Sequence, residues 1–477
     1  MSVETSSPPE QGQLRANTIG LPGVLFQSIT TMAPASAVSF SLGAAIPFTG
    51  GALPLAVLIA LIVCCFIALN IGALARHLPS AGGYFTYVSE SLGFRIGWLT
   101  GWMFDLAYLL IVPFQLLVLG PVADSFVSNV FHISLGWAVW ALIFAVIVFA
   151  LTFFGIKLSA DTGIVLGVIE IIVFGVLSIW LIATSGHNTW AVFNPASSLQ
   201  SGLGGWQGVF FGMVFVLLAF SGFESSAQLA EEAKNPRRTV PRAIFLAAVL
   251  IGIFYVFCSY AGVVGWGIDK LSAYTGDPDP WGTMATRVWG PFHIIVILAI
   301  LNSALGNANA GVNAASRMLY AMGRTRSLPH VLAHLNKDSV PDVAIIFTMI
   351  IAVVFSLLPG VIYGTTLGFA FLGTVLTLPI ILVYMATCAS VPIFYLRKHR
   401  DEFNVLRHII APVIPFIILL FVLYFQFSPL PAAPLNLAGP IVALWLVVGI
   451  IITIILQKRS PDSLKESGKI YAEDVSA

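Results

Sequence analysis

Ala219-Phe220-Ser221-Gly222-Phe223-Glu224 interrupts the sixth long apolar run of the chain, and Thr30-Thr31-Met32-Ala33-Pro34-Ala35-Ser36 interrupts the first. Both interruptions fall near the middle of a membrane-length segment and use residues hostile to a helix, since proline lacks an N–H and glycine loses most backbone entropy on ordering. In hydrocarbon every backbone polar group needs a partner. An unwound stretch therefore persists only where it is buried in protein or faces a water-filled cavity. Breaks in corresponding segments of two halves are the sequence pointer to a binding site at the membrane midplane.

Composition supports that setting. The 477 residues are 58% hydrophobic and 9% charged, with mean hydropathy +0.95, against roughly 25% charged in soluble domains. The chain reads as an all-α polytopic membrane protein. A crossing helix needs ~20 apolar residues, and twelve segments qualify, near 21–46, 52–75, 94–123, 136–154, 163–185, 207–230, 241–266, 291–318, 342–358, 366–396, 408–427 and 437–457. They make one transmembrane domain over 18–457, between polar tails, 1–17 and 458–477, expected to be disordered. The first apolar run is too long for a secretory h-region, so no cleaved signal peptide is expected. Cys64, Cys65, Cys258 and Cys388 all lie in apolar segments and imply no disulfide framework.

Orientation follows from the positive residues, which gather on the cytoplasmic side. With the N-terminus inside, 20 of the 22 Lys and Arg fall on that face and only Lys270 and Arg287 on the other. Both termini are thus expected in the cytoplasm, in a cell membrane. The broken segments open two blocks of five helices, about 20–185 and 205–397, followed by helices 11 and 12 at about 408–457. Five is odd, so the second block enters from the opposite side, which is the topology of an inverted repeat. The turn-former cluster Thr275-Gly276-Asp277-Pro278-Asp279-Pro280 on the outer side is either a cover over the outer mouth or a solvated connector.

Of the 21 acidic residues, only Asp105, Glu170 and Glu224 lie well inside predicted spans, where a charge costs roughly 2.5–3.5 kcal/mol on the insertion scale and marks function by default. Glu224 sits two residues after Gly222. It suits a proton carrier facing the break, and equally a cap on the unwound backbone. Glu170, with no cation near it in sequence, reads as a coupling group or a protonated side chain bonded to a neighbouring helix. Asp105 is open between contact with a substrate amine and plain interhelical bonding. On helix eight, Asn302, Asn309 and Asn313 share one face and Ser303 and Asn307 an adjacent stripe. Most such residues are packing glue, with Ser303 and Asn307 as candidate cavity residues.

Other chemistries find no support. The eight histidines lie in loops or near span ends, none in a spacing such as HExxH, so no metal site is read. There is no GxxxxGK[ST] phosphate loop, no nucleophile and base paired at one depth, no filter motif of a channel, and no basic stripe interleaved with aromatics for nucleic acid. No cofactor is expected. Transport, rather than catalysis, is the implied activity, and a gradient its driving force. Large regulatory tails would favour a receptor that binds without flux, and both tails here are short.

Three stretches resemble the amino acid-polyamine-organocation superfamily of permeases. These are Leu78-Pro79-Ser80-Ala81-Gly82-Gly83-Tyr84-Phe85-Thr86-Tyr87, then Ser221-Gly222-Phe223-Glu224-Ser225 running to Ala230-Glu231-Glu232-Ala233-Lys234-Asn235-Pro236-Arg237-Arg238, and Ser316-Arg317-Met318-Leu319-Tyr320-Ala321-Met322-Gly323-Arg324. The resemblance implies the leucine-transporter (LeuT) fold, twelve helices with a 5+5 inverted repeat. It also implies a small amino acid or amine held by backbone groups of Met32, Ala33, Ala35, Ser36 and Ala37 in helix one and of Phe220, Ser221, Gly222 and Phe223 in helix six. Phe220, Phe223 and Tyr384 match aromatic gates by approximate position, though ordinary apolar packing explains any one of them. Glu224 looks like a helix-six glutamate implicated in proton sensing. Glu170 falls where proton-coupled relatives carry a lysine in lieu of sodium, which leaves proton or Na+ open. The family's usual Gly-[Ser/Ala]-Gly break is here Ala33-Pro34-Ala35, one amide donor short for a carboxylate, and putrescine permeases also carry a proline there.

Overall fold

Among the described residues the chain forms helices alone, apart from one backbone bridge between Ile19 and Ala233. The computed structural model describes residues 19–79, 82–154, 160–201, 204–230, 232–324, 328–336 and 340–459. The two tails, Ser80-Ala81 and Glu231 of the family-like stretches lie outside them, apart from the tail residues 458 and 459.

The first broken segment comprises α1 (Leu21–Met32), α2 (Pro34–Ser36) and, through a π turn at Ala37–Ser41, α3 (Leu42–Thr49). Next come α4 (Leu53–Ala75), a short α5 (Tyr84–Leu92), α6 (Phe94–Phe131), α7 (Trp137–Phe153) and α8 (Ala160–Thr184). The second half opens with α9 (Trp206–Phe220), which gives way to a 3-10 turn at Ser225–Leu229. It continues with α10 (Pro236–Trp266), α11 (Leu271–Gly276), α12 (Pro280–Trp289), α13 (Ile294–Arg324), α14 (Asp342–Tyr363) and α15 (Thr365–Lys398). The last two helices are α16 (Ala411–Phe427) and α17 (Ala438–Arg459). Each of the predicted apolar segments contains a helix. Among the described residues ten helical runs are long and apolar enough to cross a membrane; one of them, Leu21–Ala75, runs through the first two predicted segments, and Trp137–Phe153 is shorter.

Several boundaries differ from the hydropathy reading by a turn or more, α10 beginning at Pro236, α13 ending at Arg324 and α14 at Tyr363. α6 runs to Phe131, beyond the predicted 123, because Pro113 and Pro121 are absorbed inside it and the polar turn Asp124–Asn129 stays helical until His132 turns left-handed. The turn-former cluster after Thr275 is not bare loop: Asp279 accepts a hydrogen bond from Gly282 N at 3.0 Å and so caps α12, while α11 packs on α3. The helix leading into the cluster therefore lies against the far half of the first broken segment.

Packing sorts the helices into two sets. α1 and α3 lie against α10 and α9, and α4 against both α9 and α10. α6, α7, α13 and α14 pack on one another, and α15 joins them to α4 and α9. The approach of α10 to α4 and α9 is close enough that a methyl on Gly252 would fall 2.3 Å from Leu61 and 2.9 Å from Phe220. Small residues at such crossings are what helix association in lipid uses, since apolar burial drives little there. α17 is pinned to α6 by two indoles stacked 4.2 Å apart, Trp102 and Trp445, each donating its N–H to the other's carbonyl at 2.9 Å. Outward faces carry exposed Val146, Ile172, Ile350, Phe421 and Leu444, as lipid-facing surfaces do.

Candidate substrate site at the two helix breaks

The first break is one residue deep. α1 stops at Met32, Ala33 turns left-handed (φ 48°, ψ 67°), and the helix resumes at Pro34. A residue before proline is driven out of the right-handed helical region, and a left-handed alanine costs roughly 1–2 kcal/mol. Ala33 N donates to Thr30 O at 3.1 Å, and Ala37 N to Ala33 O at 2.8 Å. The second break is longer. Ser221 is extended, Gly222 has φ 106°, and the chain recovers only as the 3-10 turn after Glu224.

The breaks face each other at Gly222. A Cβ there would sit 2.7 Å from Thr31 Cγ2 and 2.9–3.0 Å from the Thr31 carbonyl group, so both the positive φ and the close approach require glycine. One hydroxyl joins the two: Tyr255 of α10 lies 3.0 Å from Met32 O and 3.0 Å from Ala219 O, the carbonyls released where each helix ends. Below the breaks the half-helices are zipped by side chains. Ser28 donates to Phe223 O at 2.6 Å, Ser226 N donates to Ser28 Oγ at 3.1 Å, Ser226 Oγ to Val24 O at 2.7 Å, and Ser225 to Thr31 Oγ1 at 3.0 Å. The bridge at Ile19 extends the zipper, its N–H donating to Glu232 O and its carbonyl accepting from Lys234 N.

Between the breaks and α6 lies a cavity lined by Thr31, Met32, Ala33, Ala37, Ser41, Tyr108, Ile111, Phe114, Gln115, Leu218, Ser221, Gly222, Asn307 and Leu376. Its volume is about 30 Å³, room for a water or two. Anything larger requires the walls to part. Asn307 donates to Thr31 O, and Ser36 Oγ donates to Gln115 Oε1 at 3.2 Å, so α13 holds the backbone of the first break and α6 holds its Ser36 side chain. No charged side chain lines the cavity among the described residues.

Of the residues singled out in sequence, Met32, Ala33, Ala37, Ser221, Gly222 and Asn307 line this space. Ala35 and Ser36 sit just behind it. Phe220, Phe223 and Tyr384 are fully buried beside the second break: Phe220 meets Tyr255 edge-on at 5.3 Å, and Phe223 lies 5.8 Å from Tyr384. Glu224 is buried next to them, its Oε2 accepting from Gly222 N at 3.1 Å and from Tyr384 O–H at 3.2 Å, while Oε1 has no hydrogen-bond partner. It thus caps the unwound backbone and keeps a free oxygen. Glu170 of α8 reaches the other break. Asn302 donates to its Oε1 at 2.5 Å, and Ser303 and the Ala35 amide adjoin the same carboxylate.

Asp105 does not join them. Its carboxyl oxygens are buried without a hydrogen-bond partner, and it borders a separate apolar cavity of about 520 Å³ that includes Leu109, Phe355, Phe371 and Trp445. The α6 residues that do reach the cavity at the breaks are Tyr108, Ile111, Phe114 and Gln115, which recur at helical spacing on one face. Gln115, a lone amide midway along an apolar helix, was the available signal. Nothing local distinguishes Ser41 or Leu376.

Comparisons with known proteins fit this arrangement. The amino acid permease family model matches residues 23–465. The branched-chain amino acid permease BcaP of Lactococcus lactis subsp. cremoris is 28% identical over 74% of this chain and 76% of its own length. The L-asparagine permease of Salmonella typhimurium is 27% identical (72% and 70%), and the low-affinity putrescine importer PlaP of Escherichia coli K12 is 26% identical (65% and 68%). Among solved structures, Mhp1, a nucleobase-cation-symport-1 family transporter in a closed conformation with bromovinylhydantoin bound, superposes with TM-score 0.55 at 14% identity, over 97% of this chain and 99% of that one. The fold is the LeuT-like fold the sequence implied.

Proposed function

Because the chain belongs to the amino acid permease family, we propose that it carries a small amino acid across the cell membrane as a secondary active transporter, working by alternating access. The observation that carries this reading is the meeting of the two helix breaks around a small cavity between the two helix sets, bridged by the Tyr255 hydroxyl. In this reading twelve segments cross the membrane in a 5+5 inverted arrangement plus two, with both termini in the cytoplasm. The backbone of Met32, Ala33, Ser221 and Gly222 grips the polar end of the substrate, and Ile111, Phe114, Leu218 and Leu376 receive its apolar part. The cavity is too small for an amino acid as it stands, so α1 and the turn after Glu224 must part from the α6 set for substrate to enter.

The coupling ion in this account is a proton taken up at Glu224. The carboxylate already holds Gly222 N and Tyr384 O–H. Neutralising it weakens both contacts and frees the second break to move. Glu170 is the fixed counterpart, standing behind Ala35 as a brace for the first break.

An amine without a carboxylate is the second reading, favoured by the inventory of amides. Pro34 has none, Ala33 N and Ala37 N are taken within the chain, and Ala35 N adjoins Glu170. That leaves few amides of the first break for a substrate carboxylate, whereas carbonyls of the breaks, each with a second lone pair, suit an ammonium. The test is uptake by proteoliposomes of labelled leucine, asparagine and putrescine, with and without an inward proton gradient. Gradient-stimulated uptake of an amino acid, lost in Glu224→Gln, supports the first reading, and putrescine alone supports the second. Gradient-independent uptake with Glu224→Gln indistinguishable from wild type removes Glu224 from coupling.

A further inference from the structure

Away from the breaks, three metal-ligating side chains converge at the end of α4 and the end of α15. His77 follows α4 by two residues, His399 terminates α15, and Glu402 closes the turn Arg400–Glu402. His77 Nε2 lies 3.3 Å from Glu402 Oε2, the His77 and His399 rings are 4.0 Å apart, and one ligand atom from each residue lies within 4.8 Å of the other two. A tetrahedral ion with bonds of ~2.0–2.1 Å has ligand atoms roughly 3.3 Å apart. The His77 to Glu402 separation already has that value.

The surroundings fix the donor set. Phe394 and Tyr395 pack against His77 at 5.8 and 5.6 Å. The next imidazole, His408, is stacked on Tyr395 at 3.6 Å and accepts from Asn404 N, so it is engaged elsewhere. Arg237, within electrostatic reach of His77, works against a bound cation, and Glu402 offsets it.

We propose that His77, His399 and Glu402 form a site for a divalent transition-metal ion of the zinc class, with water as the fourth ligand. Two imidazoles and one carboxylate suit zinc, whereas magnesium and calcium prefer oxygen alone. Glu402 is half exposed, which gives the ion a path in and leaves the fourth position wet. A metal there ties the end of α4 to the end of α15. On the transport reading above, in which α1 and the turn after Glu224 part from the α6 set, zinc where α4 meets α15 slows flux; the site itself does not depend on that reading.

The test uses the full chain, purified without a polyhistidine tag and stripped with EDTA. Zinc chloride is titrated by calorimetry and thermal melting, with magnesium as control. The expected result is about one zinc per chain and a rise in melting temperature, both lost in His77→Gln and His399→Gln and weakened in Glu402→Gln, with each variant melting like wild type in EDTA. If a variant melts early in EDTA, zinc X-ray absorption on wild type decides, with two imidazoles and one carboxylate expected in the shell. No zinc binding, binding undiminished in both histidine variants, or a thiolate in the shell overturns the site.

Discussion

Gly222 is the residue on which the two breaks depend. Its φ of 106° and its approach to the Thr31 carbonyl leave no place for a side chain. Gly222→Ala should add about 1–3 kcal/mol of backbone strain and push the breaks apart, read as an early melt and loss of uptake. Tyr255 is the complementary case. Tyr255→Phe removes the donor shared by Met32 O and Ala219 O at nearly constant volume, and should cost roughly 1–3 kcal/mol for the unsatisfied carbonyls, with a matching drop in melting temperature. Gly222 and Glu224 were legible in the sequence because the second break is a local motif, five residues that carry their own chemistry. Tyr255 was not: a tyrosine in an apolar helix reads as packing until tertiary structure places its hydroxyl between two released carbonyls.

Among the elements, α6 decided what could be read. Asp105 and Gln115 are both polar groups on one apolar helix. Ten residues separate them, ~15 Å of rise and roughly a quarter-turn in direction, so they face different cavities. Hydropathy cannot assign a face on a helix of 38 residues buried along most of its length, and the charged residue drew the reading away from the amide that reaches the site. Asp105→Leu should leave uptake intact and keep or raise the melting temperature, because exchanging a buried, unpaired carboxyl for an apolar side chain is neutral or stabilising. The first break makes a sharper prediction. Pro34→Gly restores an N–H to the segment and should improve affinity for amino acids relative to putrescine by about tenfold, the worth of roughly one charge-assisted hydrogen bond, measured by competition for uptake. An unchanged ratio would mean that the amides of that break do not set substrate class.

At the scale of the whole molecule, hydropathy placed a helix in each apolar segment because span length and charge asymmetry are one-dimensional properties. The site is where that sufficiency ends. Its lining comes from α1, the π turn Ala37–Ser41, α6, α9, α13 and α15, and the His77, His399 and Glu402 cluster joins residues more than three hundred positions apart. No spacing rule reaches so far. The small cavity and the serine zipper below it describe a carrier whose walls must part to work, rather than a pore that stays open. Counterflow tests that claim most directly: proteoliposomes preloaded with unlabelled substrate, given labelled substrate outside and no ion gradient, and followed over time. Alternating access predicts a transient overshoot of label that saturates with external concentration and is absent in Gly222→Ala. Uptake without overshoot, linear in concentration, would contradict the account.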